Sequence, residues 1–134
     1  MLDSGGNMWK DLALYIINNS APGDKVIEIG AGKFLEVSSI IKECSNVNLI
    51  VTDIKPFQEW ILKEDIFNPN WELYDNVKII YSVRPPMELH QALMDLAIKV
   101  GATLIIKPLA GDFINTRQRM RLINYKKTSF FIYV

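Results

Sequence analysis

The stretch Glu28-Ile29-Gly30-Ala31-Gly32 has the residue types and spacing best suited to ligand chemistry in this chain. It continues a short β-branched run, Lys25-Val26-Ile27. A strand that runs into Gly-x-Gly turns tightly and brings its backbone against a ligand with no Cβ in the way. Helical periodicity resumes from Lys33, and a helix starting there aims free amide groups at the same place, which suits a carboxylate or a phosphate. Asp53 ends the next apolar run, Asn48–Thr52, where a carboxylate can accept both hydroxyls of an adenosine ribose. Nucleotide binding is the chemistry that follows. No Ser–His or Cys–His pairing offers a nucleophile, no catalytic residue stands out, and no cluster has metal-ligand spacing.

The order strand, glycine loop, helix, strand is a βαβ unit with the spacing of a parallel crossover. Before it, Asn7 is expected to cap a helix carrying Met8, Leu12, Tyr15 and Ile16 at helical spacing, with Met1–Gly6 loose. The helix after the loop spans Lys33–Glu43, through Leu35, Val37, Ile40 and Ile41. Val77–Val83 and Ala102–Ile106 read as buried strands flanking a helix, Met87–Val100, entered after Pro85-Pro86 and closed by Gly101. Pro56 is expected to start a short helix through Trp60 and Leu62, and Asp112–Met120 another. Arg121–Tyr125 and Ser129–Val134 read as two strands joined at Lys126-Lys127, without the glycine or Asn-Gly that usually marks a hairpin.

Bulk properties agree with one domain. A chain of 134 residues buries roughly two-thirds of its unfolded surface, enough for one hydrophobic core. Apolar residues make up 49% and charged residues 22%, which places the chain among ordinary globular proteins. With a net charge of zero, the molecule as a whole is no polyanion binder, and only a local basic patch could serve. The single cysteine, Cys44, excludes an internal disulfide, suggests a reducing compartment, and reads as a small buried hydrophobe. The opening residues lack a basic region, and no apolar run is long enough to cross a bilayer, so a cytoplasmic location without membrane attachment is expected.

A dinucleotide fingerprint wants a third glycine at position 35, where this chain has Leu35. The stretch instead resembles the first motif of class I S-adenosylmethionine (SAM)-dependent methyltransferases, an acid, any residue, then Gly-x-Gly. The resemblance implies that Glu28 organises the methionine end of SAM, that Gly30, Ala31 and Gly32 cradle it, and that Asp53 and Ile54 hold the ribose side. Glu64-Asp65-Ile66-Phe67 resembles the segment in which an Asp bonds the adenine amino group, so Asp65 would take that role and Ile66 would cover the ring. The family's further glycine is replaced by Phe34, which is expected to narrow the pocket. Two plainer readings stay open beside this one: a tight turn with solvated acids, or another nucleotide in the same crevice.

Taken together, Val26–Gly32, Val51–Ile54, Asp65-Ile66-Phe67 and Ile80–Leu89 resemble a small archaeal family of uncharacterised proteins built as trimmed methyltransferase-like domains. The implied fold is a three-layer Rossmann-like α/β sandwich, mainly parallel, with an antiparallel C-terminal hairpin. Tyr81-Ser82-Val83-Arg84-Pro85-Pro86-Met87 lacks the leading amide and the aromatic of the amine-methylating motif. Arg84 and Lys107 are substrate-side candidates, Arg84 because its planar fork suits anions. Alternatively, Arg84 is solvated and fixes a helix entrance. His90 is expected to be exposed. The basic residues Arg117, Arg119, Arg121, Lys126 and Lys127 read as a solvated face, with an RNA footprint as the alternative.

The expected function is SAM binding, with methyl transfer to an unread substrate. The alternative is a non-catalytic nucleotide-binding or interaction module, RNA-associated through the basic stretch. So short a chain leaves little for substrate recognition, and a homodimer or a partner subunit is expected to complete the site.

Overall fold

The structure is a computed structural model that describes residues 4–134, with side chains described from Met8 onward. Among the described residues three α-helices, α1 (Ser4–Asn18), α2 (Glu36–Cys44) and α3 (His90–Val100), accompany seven strands. The strands are β1 (Lys25–Glu28), β2 (Asn48–Asp53), β3 (Leu62–Lys63), β4 (Val77–Val83), β5 (Thr103–Lys107), β6 (Arg121–Tyr125) and β7 (Thr128–Tyr133). They form one sheet in the order β3-β2-β1-β4-β5-β7-β6. The first five pair in parallel, and β7 runs antiparallel to both β5 and β6.

Both faces of the sheet are buried, which is why its central strands are nearly continuous apolar runs. Leu12, Ala13 and Ile16 of α1 and Val37 and Ile41 of α2 cover one face, against Val26, Ile79, Tyr81 and Ile105. Leu93, Met94, Leu96 and Ala97 of α3 cover the other, against Ile27, Ile80, Leu104 and Ile106. The alternation along β1, β4 and β5 therefore divides the apolar residues between two cores, producing the expected three-layer sandwich. At the start of β4 the register shifts by one residue, from Lys25 opposite Val77 to Val26 opposite Ile79, and the extra residue Lys78 is exposed.

Several local expectations fail for identifiable reasons. Helix α1 already runs at Ser4, so Asn7 lies inside it and does not cap it; of the expected loose opening, residues 1–3 lie outside the described residues. Helix α2 begins at Glu36, not Lys33, because residues 31–34 form a turn closed by Phe34 N–H donating to Ala31 O at 3.3 Å. No helix starts at Pro56. The chain instead reaches Leu62–Lys63, which adds to β2, and Glu64 N–H donates to Asp53 O at 3.0 Å. Asp112–Met120 is not a helix either, because α3 takes the amides a helix would use. Asn115 N–H donates to His90 Nδ1 at 3.0 Å, and Arg117 N–H to Gln91 Oε1 at 2.7 Å.

Cys44 closes α2 beyond its buried face and is exposed. His90, expected outside, is fully buried, since it shares the inward stripe of Leu93, Met94 and Ala97. Gly101 ends α3 with φ 74°, as its position suggested. The C-terminal hairpin forms without glycine because Lys126 itself adopts φ 52°. That hairpin divides the basic stretch. Arg121 starts β6 at one end of the sheet, while Lys126 and Lys127 turn at the other, and Arg117 is held by Asp95 at 3.6 Å.

Burial holds the His90 ring below its ordinary pKa of 6.5, against the opposing influence of the Pro85 backbone, Asp112 and Glu88. A depressed value means the neutral ring stabilises the fold above about pH 6.5 and that this contribution is lost as the pH falls below it. Thermal unfolding should therefore show a loss of stability as the pH falls below about 6.5 that His90→Ala lacks. At neutral pH that variant should lose ~1–3 kcal/mol, because the Asn115 amide is left without its acceptor.

Candidate functional site

β1 and β4 are adjacent, but the chain leaves β1 toward β2 on one side and later returns to β4 on the other. Connections diverging this way open a crevice outside the carboxyl ends of the two strands, where open α/β sheets take their ligands. Gly30-Ala31-Gly32 lies at that opening. Gly30 and Gly32 adopt φ 74° and 57°, so both glycines sit in the left-handed region. The amides of Gly30 and Ala31 both donate to Thr52 O at 3.0 Å, which ties the loop to β2. Ser82 Oγ donates to Ile29 O and Thr52 Oγ1 to Glu28 O, at 2.7 and 2.8 Å, fastening the loop's entry from both neighbouring strands.

Asp53 braces the same loop. Its Oδ1 accepts the Gly32 amide at 3.0 Å and its Oδ2 the Lys55 amide at 2.9 Å. Each oxygen keeps a further lone pair, and the half-buried carboxylate can still accept hydroxyls. Ile54, beside it, is 55% exposed. Asp65 stands just beyond β3 at the same edge of the sheet; its Oδ1 accepts the Phe67 amide at 2.9 Å and holds that loop. Ile66 lines a groove of about 460 Å³ with Phe67, Trp71, Gln91, Leu96 and Lys99, on the α3 side rather than at the glycine loop. The structure thus brings Glu28, Gly30, Ala31, Gly32 and Asp53 together and sets Asp65 and Ile66 farther along the same edge.

Glu28 is the unusual group. It is only 1% exposed, and Tyr81, its register partner on β4, donates to Oε1 at 2.7 Å. Burial raises its pKa from 4.5 to about 7; the Tyr81 hydrogen bond opposes the rise and the Asp53 charge adds to it. The same burial and the Glu28 charge keep the Tyr81 phenol neutral. Tyr81 escaped the sequence reading, although a polar ring in an apolar strand, directly opposite Glu28 once the strands are paired, was the available signal.

The two substrate-side candidates differ. Arg84 is exposed, with φ 53°, and its amide donates to Lys107 O at 2.6 Å. Its guanidinium lies 4.5 Å from the Phe34 ring centroid and 5.4 Å from that of Trp9, and the two rings meet edge-on at 4.8 Å. Phe34 therefore turns into an aromatic cluster with α1 and is covered by a cation. Lys107 is half-buried, and its ammonium donates to Ser129 O at 2.5 Å, which bonds β5 to the start of β7.

Because the folded-state pKa of Glu28 is raised, the stability linked to its neutral form is full below about pH 4.5 and is lost as the pH rises through about 7. Glu28→Gln keeps an acceptor for Tyr81 and cannot ionise. In the ligand-free protein it should melt above the wild type at about pH 8, with the gap closing toward about pH 5. Scanning calorimetry across that range measures it, and a gap independent of pH would contradict the assignment.

Comparison with known proteins places this architecture. In a structure search, a SAM-dependent methyltransferase from Aquifex aeolicus superposes with a TM-score of 0.56 at 15% identity, covering 99% of this chain and 98% of that one. The shared feature is the fold, that of the class I methyltransferases. A UPF0146 protein of Methanothermobacter thermautotrophicus is 51% identical over 127 residues, 95% of this chain and 96% of its own length. A UPF0146 protein of Archaeoglobus fulgidus is 34% identical over 125 residues, 90% of this chain and 91% of its own. The model of an uncharacterised protein family, UPF0146, matches residues 9–134. The chain is therefore a member of the UPF0146 family, with archaeal relatives and a methyltransferase-like Rossmann architecture.

Proposed function

We propose that this chain binds S-adenosylmethionine across the crevice at Gly30–Gly32 and serves as a SAM-dependent methyltransferase. The observation that carries this reading is the buried Glu28 carboxyl, held by Tyr81 beside a two-glycine turn and one strand from Asp53. A carboxyl at this depth is unfavourable in its ionised form unless a cation meets it, and the ammonium of an amino-acid ligand is such a cation. The left-handed glycines leave the loop backbone open to close approach, with no atom within 4 Å of a Cβ built at Gly32. Asp53 takes the ribose hydroxyls. Asp65 and Ile66 bound the adenine side, and Ile54, exposed beside Asp53, is free to lie against the ligand.

SAM supplies an activated methyl group on a sulfonium. The chain's part is to hold that end in place with Glu28 and the loop, and to leave the acceptor an in-line approach from the Arg84 side. Positioning of this kind supplies much of the rate without a dedicated base. The exposed, unpaired Cys44 suits a reducing, cytoplasmic setting. Among the described residues no helix is long and apolar enough to cross a membrane.

Calorimetric titration with SAM, S-adenosylhomocysteine, NAD and ATP tests the reading. The two sulfur ligands should bind, and Asp53→Ala should weaken them by about ten- to a hundredfold, or ~1.5–3 kcal/mol. Ligand binding favours ionised Glu28, so the affinity should rise with pH up to about 7 and level off above it. Glu28→Gln should remove that pH dependence. If neither sulfur ligand binds the wild type, the proposal fails.

A further inference from the structure

The fold assembles a basic, ring-bearing surface that is scattered in the sequence. Because β7 is antiparallel to β5, its first residues lie at the carboxyl edge of the sheet, and so does the Lys126-Lys127 turn that precedes it. Arg84 follows β4 and Lys107 ends β5 at this same edge. The amino end of α1 is there too, since Trp9 touches Phe34 and Asp11 Oδ2 accepts the Lys127 amide at 3.0 Å. Among the described residues the acids nearby include Asp11, buried against that turn, Glu88 and Asp112 on the α3 side, and Glu28 and Asp53 in the adjoining crevice.

Along this half of the edge exposed cations lie against half-buried aromatic rings. Arg84 lies over Phe34 and Trp9, and Lys126 lies 5.6 Å from the Tyr125 ring centroid. Phe113, on the loop pinned to α3, is 69% exposed. Rings at which bases can stack, set among cations that meet phosphates, are the pattern that binds single-stranded nucleic acid. A folded anionic protein or a bare phosphate would use the cations and leave the rings idle.

We propose that the β4–β5–β7 half of the carboxyl edge binds a single-stranded polynucleotide, which is the methyl acceptor. The acceptor role rests on the SAM reading above; the binding role does not. The Lys126-Lys127 turn meets phosphates, the exposed Phe113 ring stacks on a base, and the Arg84 guanidinium, backed by the Phe34 and Trp9 rings, offers a second plane for stacking beside its charge. In the transfer itself, the bond from sulfur to methyl breaks as the bond from methyl to a base or ribose heteroatom forms. The sulfur keeps the electron pair and becomes a neutral thioether, and the acceptor releases a proton to water.

Fluorescence anisotropy with labelled mixed-sequence single-stranded RNA and DNA oligonucleotides, titrated against salt, tests the binding. Both should bind at low salt, and any preference between the arms identifies the sugar that is read. Lys126→Asn with Lys127→Gln keeps the left-handed turn and the Lys127 amide, so its melting temperature should hold. Its affinity should drop severalfold, and the log–log salt slope should fall by about 0.7 for each phosphate contact removed. Asp53→Ala should retain the oligonucleotide while binding SAM about ten- to a hundredfold more weakly, which separates failure of this proposal from failure of the previous one. Absence of binding to either oligonucleotide at low salt, or an unchanged affinity and slope in the double variant, would overturn the polynucleotide assignment. If oligonucleotides bind but neither takes up a radiolabelled methyl group in a protein that binds SAM, the acceptor role is overturned.

Discussion

A carboxyl buried to 1% exposure at the end of β1 constrains everything around it. Its ionised form is costly in such a place, and the surroundings answer with one hydrogen bond, from Tyr81, and the neutral form of the acid up to about pH 7. That arrangement exists only while β1 and β4 are neighbours in the observed register, so the crevice depends on the sheet order. The loop beyond Glu28 is held in turn by hydroxyls and carbonyls of β2 and β4, with Thr52 serving twice as acceptor and once as donor. A rigid floor of this kind is what a small ligand needs if its own orientation is to be fixed.

The parts of this fold that were legible in the sequence are those where one periodicity dominates. Val77–Val83 was read to the residue, since a seven-residue apolar, β-branched strand has no competing pattern. Gly101 and the Lys126-Lys127 turn were also placed correctly, the latter despite lacking glycine. What could not be read were segments shaped by partners remote in sequence. The 112–120 stretch has helical character, but its amides are taken by His90 and Gln91. The tiny β3 exists because β2 has a free edge to extend, not because Leu62 and Lys63 prefer strand. His90 fell on a stripe with Leu93 and Ala97, so its burial was readable from spacing, and its polarity concealed it.

The candidate site divides in the same way. Glu28, Gly30, Gly32 and Asp53 were visible because their spacing from strand ends is local, and strand ends are easily found. The partner of Glu28, the cluster of Trp9, Phe34 and Arg84, and the split of the basic stretch between two ends of the sheet are products of topology. Phe34, expected to narrow the crevice, instead packs against Trp9 of α1, and through it the loop after β1 is braced by the first helix. Charge that is neutral in total is thereby sorted in space.

The extra residue at Lys78 acts as a phase setter. Side chains along a strand alternate with a period of two, so one inserted residue inverts which face every later residue addresses. Continued without that step, the pairing of Lys25 with Val77 would put Ile80 opposite Glu28 and point Lys78 into the core beside Val26. With the step, Tyr81 meets the carboxyl, and Ile80 joins Leu93 and Leu104 on the opposite face. A single exposed lysine far from the crevice thus determines which hydroxyl reaches its acid, because at this chain length only the bulge at Lys78 keeps Tyr81, and not Ile80, opposite Glu28.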